Sequence, residues 1–300
     1  MMVDVSVVVP VRFAEETVAG TLRALLDQSR DLSAEVIAVV SADDPTCAAL
    51  RALDPDPRLR ILEVSGRRSV PQLRAEGVRA SRGRYIAITE DHCLFAPGWL
   101  AGLVDALNAR EIAAAGGPVE NGRTSGPLDW AIYFSRYAGS MPPLGRGLTL
   151  ALPGNNACYR RDALDRLASL YVAGFWENDI NQELVALGYI LWLEPSLVVT
   201  HNKPYRFGPY LALRYRHARC YGGMLAAAWT PAQRLRRVLL SPLIPALLLF
   251  RSARSILRKK RRRREYLLAL PALLLCYGVW FCGELVGYLA GPGETCSETD

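Results

Sequence analysis

Several patterns that would assign this chain to a common class are missing. Its seven cysteines are scattered and form no C-x-x-C pair, which argues against a zinc knuckle or a thiol redox motif. The opening residues, MMVDVS, carry no basic segment before an apolar stretch, so no secretory signal is expected. The composition is otherwise ordinary, and it indicates neither disorder, nor a collagen-like repeat, nor a disulfide scaffold. We therefore expect reduced cysteines in a cytosolic compartment.

The net charge of +7 comes from one short segment. Residues 251–264, RSARSILRKKRRRR, carry nine Arg or Lys residues and no acid. The remaining residues carry 27 basic and 29 acidic side chains, so no basic surface extends over a whole domain. A run such as KKRRRR can be a nuclear or nucleic-acid patch. Because apolar segments flank it, we interpret it as a membrane anchor and expect no nucleic-acid partner.

Two apolar segments flank the basic block. Residues 238–250 include two prolines and are shorter than the roughly 20 residues that cross a bilayer core. Residues 267–290 contain one acid, Glu284, and are long enough. The basic loop should be cytosolic and should attract anionic lipid headgroups. We expect the first segment to dip into the membrane and the second either to cross it or to complete a re-entrant hairpin. A soluble helical subdomain is the alternative.

Short apolar runs alternate with amphipathic stretches from residue 3 to about residue 200. Strands are predicted at 3–11, 35–42 and 84–89, with a weaker one at 58–64. Helices are predicted at 16–29, 70–81, 98–110, 160–170 and 178–188. Repeats of strand, helix and strand at this length predict a doubly wound, mostly parallel α/β sheet.

Two later regions are predicted differently. Residues 116–160 are rich in Gly, Pro and Asn and lack periodicity, which is typical of a long functional loop or a mobile lid. Residues 190–201, ILWLEPSLVVTH, read as one strand-like segment that ends on a histidine.

Three polar residues follow the apolar run Tyr85-Ile86-Ala87-Ile88. Ligands of α/β sheets bind at the carboxyl ends of the strands. Side chains two apart in an extended chain share a side, so Glu90 and His92 should face together and Asp91 away from them. A carboxylate and an imidazole suit a divalent metal such as Mn²⁺, and His201 could supply a third ligand. The alternative is that His92 only caps a strand or turn.

Several motifs, in order and at normal spacing, resemble those of one family. VSVVVPVRFAEETVAGTLRALLDQS is similar to an opening strand and helix closed by a glutamine, here Gln28. LRAEGVRASRGRYIAITEDHC is similar to a segment written A-R-N-x-G-x-x-x-A-x-G-x-Y-I-x-x-L-D-x-D. LPGNNACYRRDAL and the stretch from Phe175 to His201 are similar to the acceptor loop and the base-bearing segment. Over residues 3 to 225 the chain therefore resembles the inverting nucleotide-sugar glycosyltransferases of family 2.

The resemblance implies the GT-A fold, a Rossmann-like, mostly parallel sheet with flanking helices. Here Glu90 and His92 occupy the two ends of the family's Asp-x-Asp metal motif, and Ala75 replaces its Asn. The Asp-x-His form occurs in other GT-A enzymes that use Mn²⁺. Asp43 and Asp44 lie two positions later than the family's uracil-contacting Asp, which leaves the base of the donor open.

The resemblance also implies site residues, position by position. Its catalytic base falls on Glu177, with Asp179 the next candidate, although both could simply be acids at a helix N-terminus. A divalent ion, Mn²⁺ or Mg²⁺, is implied at Glu90, His92 and His201. Donor contacts are implied at Pro10, Arg12, Glu16, Asp43, Arg74, Asp91, Arg216 and Arg219. Acceptor contacts are implied at Asn155, Asn156 and Trp176. A solvated or membrane-facing basic face is the alternative for the arginines near residue 216.

The implied protein has a catalytic domain at 1–235 and a membrane-associated segment at 236–300, with the basic loop 251–264 and a polar tail 291–300. It would move a sugar from a nucleoside-diphosphate donor, expected to be a UDP-sugar, to a lipid or lipid-linked saccharide at the cytoplasmic face of the membrane. The alternative is a catalytically silent nucleotide-sugar-binding or scaffold protein. A nucleotidyltransferase would need a glycine-rich basic loop after the first strand, and VVPVRFAEE supplies none.

Overall fold

The computed structural model describes residues 3–53 and 55–298. The chain packs as two units. The first comprises the residues up to Gly122 together with Ser140–Lys203, and the second comprises Arg123–Gly139 together with the residues from Pro204 onward. The boundary predicted at residue 235 is the end of the catalytic domain, and it stays a prediction.

Most elements of the first unit are those that the sequence predicts. The strands are β1 Val5–Val11, β2 Ala34–Ser41, β3 Leu59–Val64, β4 Tyr85–Ile88, β5 Cys93–Phe95, β6 Ala114–Gly116, β7 Val119–Asn121, β8 Gly147–Thr149, β9 Ala157–Arg160, β10 Leu191–Leu193 and β11 Val199–His201. The helices are α1 Val18–Gln28, α2 Thr46–Arg51, α3 Val70–Ala80, α4 Trp99–Asn108, α6 Arg161–Asp165 and α7 Glu177–Ala186. The second unit holds α5 Pro127–Tyr137, α8 Phe207–Ala227, α9 Pro231–Leu240, α10 Ile244–Lys259 and α11 Arg263–Ala290.

The strands form two sheets. The larger has the order β3-β2-β1-β4-β9-β6-β10-β8, and the smaller has the order β5-β11-β7. Pairing is parallel among β3, β2, β1 and β4 and between β6 and β10, whereas β9 and β8 run antiparallel to their neighbours. Helices pack on both faces of the larger sheet and bury its valines, isoleucines and leucines in two apolar clusters.

Helix α3 is held close to the larger sheet. This close packing fixes the positions of the side chains that the helix places near the strand ends. Its start is a capping box, in which Ser69 and Gln72 satisfy each other's backbone amides. A Cβ at Gly77 would collide with Val8 on β1, so only a residue without a side chain allows this approach.

Two predictions about the middle of the chain are wrong. Residues 116–160 are not one irregular loop, because they contain β7, α5, β8 and β9. Residues 190–201 form two strands in different sheets, separated by residues 194–198. The strands of three or four residues are too short to show periodicity, and α5 buries the consecutive residues 130–134, so its apolar residues form no single stripe. Pro195 interrupts the later run because it lacks an amide hydrogen.

The second unit is helical in its described residues. Two of its stretches, Pro231–Lys259 and Arg263–Ala290, have the length and apolar composition needed to cross a membrane. Cys220 and Cys296 form a disulfide within this unit, so the expectation of reduced cysteines is wrong for this pair. The two cysteines are 76 residues apart, and no local spacing indicated that they meet.

Candidate active site

Glu90 and His92 lie in the short connection between β4 of the larger sheet and β5 of the smaller one. Both side chains are buried, and Oε2 of Glu90 lies 3.2 Å from Nε2 of His92. The two side chains therefore face the same side, as predicted. The expectation that Asp91 points away is wrong, because residues 91–92 form a turn and the Asp91 carboxylate lies against His92. Burial lowers the pKa of His92, but the hydrogen bonds and charges of Asp91 and Glu90 outweigh it, and the net direction is upward.

Asp91 orients the histidine ring. Its Oδ1 lies 2.6 Å from Nδ1 of His92, and its Oδ2 accepts a hydrogen bond of 2.8 Å from the backbone amide of Arg12. In a neutral His92, the Nδ1 proton is thus donated to Asp91, and the lone pair of Nε2 is directed toward Glu90. Metal-binding histidines are commonly oriented by a carboxylate in this way.

The donor atoms fit a divalent metal. One ligand atom from each of Glu90, His92 and Cys93 lies within 4.8 Å of the others. The 3.2 Å between Glu90 and His92 is close to the roughly 3 Å that separates adjacent ligands of an octahedral ion. Cys93 was missed by sequence reasoning, although it directly follows His92. Burial raises the pKa of its thiol, so without an ion the sulfur is protonated.

The smaller sheet brings His201 to the same place. Residue 201 of β11 pairs with Cys93 of β5, and the amide of Asn202 donates to the carbonyl of His92 at 3.1 Å. The ring of His201 lies edge-on to that of His92, with 4.5 Å between centroids. Its role as a metal ligand stays a prediction.

Arg74 connects this cluster to the predicted base. Its Nη2 lies 2.8 Å from Oε1 of Glu90, and its Nη1 lies 2.8 Å from Oε2 of Glu177. The guanidinium is buried, whereas Glu177, the first residue of α7, is partly exposed. A Cβ at Gly154 would lie 2.6 Å from Cδ of Glu177, so the loop before β9 passes close against this carboxylate.

Asp179 lies two residues later, in the first turn of the same helix. Burial raises the pKa of its carboxyl, and the nearby charge of Glu177 adds to the rise. The first turn of α7 therefore presents two carboxylates with different surroundings, one paired with an arginine and one partly desolvated.

Comparison with known proteins identifies the family. Residues 6–168, more than half of the chain, match the family described as glycosyl transferase family 2. The chain belongs to glycosyl transferase family 2. No relative was found among curated proteins.

Solved glycosyltransferases share the fold. The chain resembles the mannosyltransferase PcManGT from Pyrobaculum calidifontis, solved with GDP-Man and Mn²⁺, at 22% identity and a TM-score of 0.59, over 95% of this chain and 87% of that one. It also resembles GalNAc-T7, solved with UDP, GalNAc and Mn²⁺, at 16% identity and a TM-score of 0.52. That match covers 67% of this chain and 44% of GalNAc-T7. The predicted GT-A fold is confirmed.

The other donor positions of this family 2 chain differ in accessibility. Pro10 and Arg12 are buried at the end of β1, and Glu16 and Asp43 are exposed. Asp44, which sequence reasoning did not favour, fixes the loop after β1. Its carboxylate accepts hydrogen bonds from the amides of Phe13 and Thr46 at 3.1 and 2.9 Å.

The acceptor positions need one correction. Asn156 is fully buried, and its amide accepts from the indole of Trp99 and donates to the carbonyls of Pro118 and Leu197. Its side chain therefore holds the loop in place and is not exposed to an acceptor. Asn155 is also buried, with its amide nitrogen 3.9 Å from the sulfur of Cys93, and Trp176 is half-buried at the start of α7.

The basic residues near residue 216 belong to the second unit. They lie on α8, where Arg216 pairs with Glu298 at 3.1 Å and Arg219 donates to the carbonyl of Gly291 at 3.4 Å. Their contact with a donor stays a prediction.

Proposed function

We propose that the protein transfers a sugar from a nucleoside-diphosphate donor to an acceptor at a membrane surface, with inversion at the anomeric carbon. The observation that carries the proposal is the unbroken series of polar contacts from the Arg12 amide, through Asp91, His92, Glu90 and Arg74, to Glu177. This series joins a metal-binding geometry to a carboxylate suited to act as a base.

Glu90 and His92 would hold a divalent ion, with Cys93 or His201 beside them. Both similar solved structures contain Mn²⁺ and a nucleotide or nucleotide sugar, which supports this choice. When bound, the ion would act as a Lewis acid that offsets the negative charge of the diphosphate. Asp91 keeps the His92 ring in the orientation that directs Nε2 toward Glu90, and Arg74 balances part of the carboxylate charge around Glu90.

Glu177 would remove the proton from the acceptor hydroxyl as its oxygen attacks the anomeric carbon and the nucleoside diphosphate leaves. The carboxylate pairs with Arg74 and is partly exposed, so a substrate can reach it. Asp179 is the second candidate because burial raises the pKa of its carboxyl, which favours proton uptake.

A membrane acceptor is supported by the second unit. Two apolar helical stretches and the basic block between them suit an anchor at the cytoplasmic face. A lipid or a lipid-linked saccharide is therefore the acceptor class that we propose. The donor would carry uridine, and GDP-sugars are the first alternative because PcManGT was solved with GDP-Man.

The decisive experiment measures nucleoside diphosphate released from a panel of UDP- and GDP-sugars by detergent-purified protein. It is run with Mn²⁺, with Mg²⁺ and with a chelator, beside His92→Ala and the exposed control Asp105→Asn. We expect turnover that requires both a metal and His92. Donor binding without turnover in the presence of lipid acceptors would favour the silent scaffold, and failure to bind any nucleotide sugar would refute the proposal.

A further inference from the structure

Helices α8 and α11 lie against each other backbone to backbone. A Cβ at Gly283 would lie 2.5 Å from the carbonyl oxygen of Tyr215, and one at Gly287 would lie 2.5 Å from that of Arg219. From the other helix, a Cβ at Gly222 would lie 2.8 Å from the carbonyl oxygen of Glu284. Glycines on both helices thus allow an approach that a side chain would prevent.

The contact continues along the apolar half of α11. Tyr210 packs with Cys276, and the guanidinium of Arg214 lies 4.0 Å from the centroid of the Trp280 ring. Positions increase together along both helices, so the two run parallel and side by side. If this part of α11 is inserted into a membrane, α8 must therefore be inserted to the same depth.

The composition of α8 is incompatible with the interior of a bilayer. Alongside the middle and end of α11 it carries Arg214, Arg216, His217 and Arg219. Arg214 lies at the level of Trp280, near the middle of the 28-residue α11. Several charges at the centre of the hydrocarbon layer would be strongly unfavourable. A transmembrane α11 would place Arg214 and His217, which both lie against the Trp280 ring, near that centre. It would place Arg216 and Arg219 between there and the C-terminal end of α11.

The unit also has exposed apolar and basic residues. Leucines on α11 are exposed in a stripe at helical spacing, among them Leu267, Leu274 and Leu289. A second exposed stripe on α9 and α10 includes Leu239, Leu243 and Phe250. Between residues 234 and 264 the chain has twelve Arg or Lys residues and no acid. Helices with exposed apolar stripes and flanking basic residues are typical of proteins that lie in the membrane interface.

We propose that the second unit lies in one leaflet of an anionic bilayer and that α11 does not cross it. The leucine stripes enter the acyl region, and the basic residues contact the anionic headgroups. A second copy of the same surface is disfavoured as the partner, because twelve like charges without an acid would repel each other. The inference deepens the membrane part of the proposed function, and its test measures no sugar transfer.

Topology is tested by labelling with a membrane-impermeant maleimide. Arg264→Cys, in the first turn of α11, and Glu294→Cys, after its end, lie at exposed positions. Each is made in the full chain carrying Cys282→Ser, because Cys282 is the exposed free cysteine among the described residues. In sealed membrane vesicles we expect both sites to lie on the same side of the membrane. The two variants should then be labelled to the same fraction of the total labelling that each shows after detergent lysis. Labelling from opposite sides would show a crossing helix and overturn the inference.

Lipid binding is tested by flotation with vesicles of phosphatidylcholine, alone or mixed in equal parts with phosphatidylglycerol. Removing two charges with Arg254→Gln and Arg258→Gln should weaken partitioning into the anionic vesicles by about 25-fold, at about fivefold per basic residue. The matched control, Arg23→Gln with Arg79→Gln on exposed positions of the first unit, should float like the parent. Equal binding to both vesicle types, or self-association in place of flotation, would overturn the inference.

Discussion

The guanidinium of Arg74 holds Glu90 and Glu177 together, with ion-pair distances of 2.8 Å to each. The two carboxylates are 87 positions apart in sequence and belong to different parts of the proposed mechanism. One would bind the metal, and the other would accept the proton. Arg74 thus sets the distance between the two functions, in addition to any contact that it makes with the donor.

Replacing Arg74 tests this bridge. Arg74→Ala would leave Glu90 buried without this counter-charge, which should lower the free energy of unfolding by about 3 kcal/mol. Thermal unfolding in detergent with chelator present measures the loss. Arg79→Ala, on the exposed face of the same helix, should change the free energy by no more than about 0.5 kcal/mol. Equal losses of unfolding free energy in the two variants would show that the ion pairs of Arg74 stabilise the fold no more than an exposed arginine does.

The orientation of His92 predicts an effect of Asp91 on metal affinity. Asp91→Asn would remove the charge that holds the Nδ1 proton and would disturb the tautomer that presents Nε2. We expect the affinity for Mn²⁺ to fall by about 10- to 100-fold. Titration followed by the electron paramagnetic resonance of free Mn²⁺ measures it, with Asp105→Asn as the control. An unchanged affinity for Mn²⁺ in Asp91→Asn would show that Asp91 does not orient the His92 ring for metal binding.

Gly154 offers a test of Glu177 that leaves the carboxylate itself intact. In Gly154→Ala, the new methyl group would lie within 2.6 Å of Cδ of Glu177 and would displace this carboxylate from Arg74. We expect kcat to fall by about 100-fold, the order of effect that a small misplacement can have, while KM for the donor stays near its original value. Gly145→Ala is the matched control because its Cβ would meet nothing within 4 Å. Parent-like turnover of Gly154→Ala would argue against Glu177 as the base.

Asp179 carries a prediction about pH and stability. Its pKa is raised in the folded protein, mainly by burial, so the folded state binds this proton more tightly than the unfolded chain does. Its contribution to stability is present below the unfolded pKa and is lost as pH rises through the folded pKa. Asp179→Asn should therefore raise the melting temperature at neutral pH and leave it nearly unchanged well below pH ~4.

The same variant separates the two candidate bases. If Glu177 is the base, Glu177→Gln should reduce kcat by about 100- to 10,000-fold, and Asp179→Asn should have a much smaller effect. The reverse order would assign the base to Asp179. Melting curves from acid to neutral pH, recorded beside the kinetics, show whether a loss of turnover comes with a gain in stability.

Local patterns were sufficient for the first half of the fold and part of the site. The end of an apolar strand located Glu90 and His92 at the edge of the sheet, although a turn and not an extended chain brings them together, and runs of valine identified β1 and β2. The contact between Arg74 and Glu177 spans 103 residues, and it depends on how α3 and α7 pack on the sheet. Nothing in either local sequence encodes that packing.

The remaining misses have different causes. Cys93 looked like an ordinary core residue because its role depends on the sharp turn that brings its sulfur beside Glu90 and His92. Asn156 looked like a polar loop residue, and only its three partners from distant segments show that it is internal. The first miss depends on the conformation of a local turn, and the second on contacts between residues far apart in the chain.

The two edge strands of the larger sheet also limit how this protein can aggregate. At one edge, β8 has three residues, too few to template another strand. At the other, β3 carries Arg60 and Glu63, which are tied by ion pairs to Glu35 and Arg51. An incoming strand would have to accommodate these charges. The sheet is therefore protected against strand-by-strand extension at both ends, and high protein concentration should not readily convert it to β-aggregates.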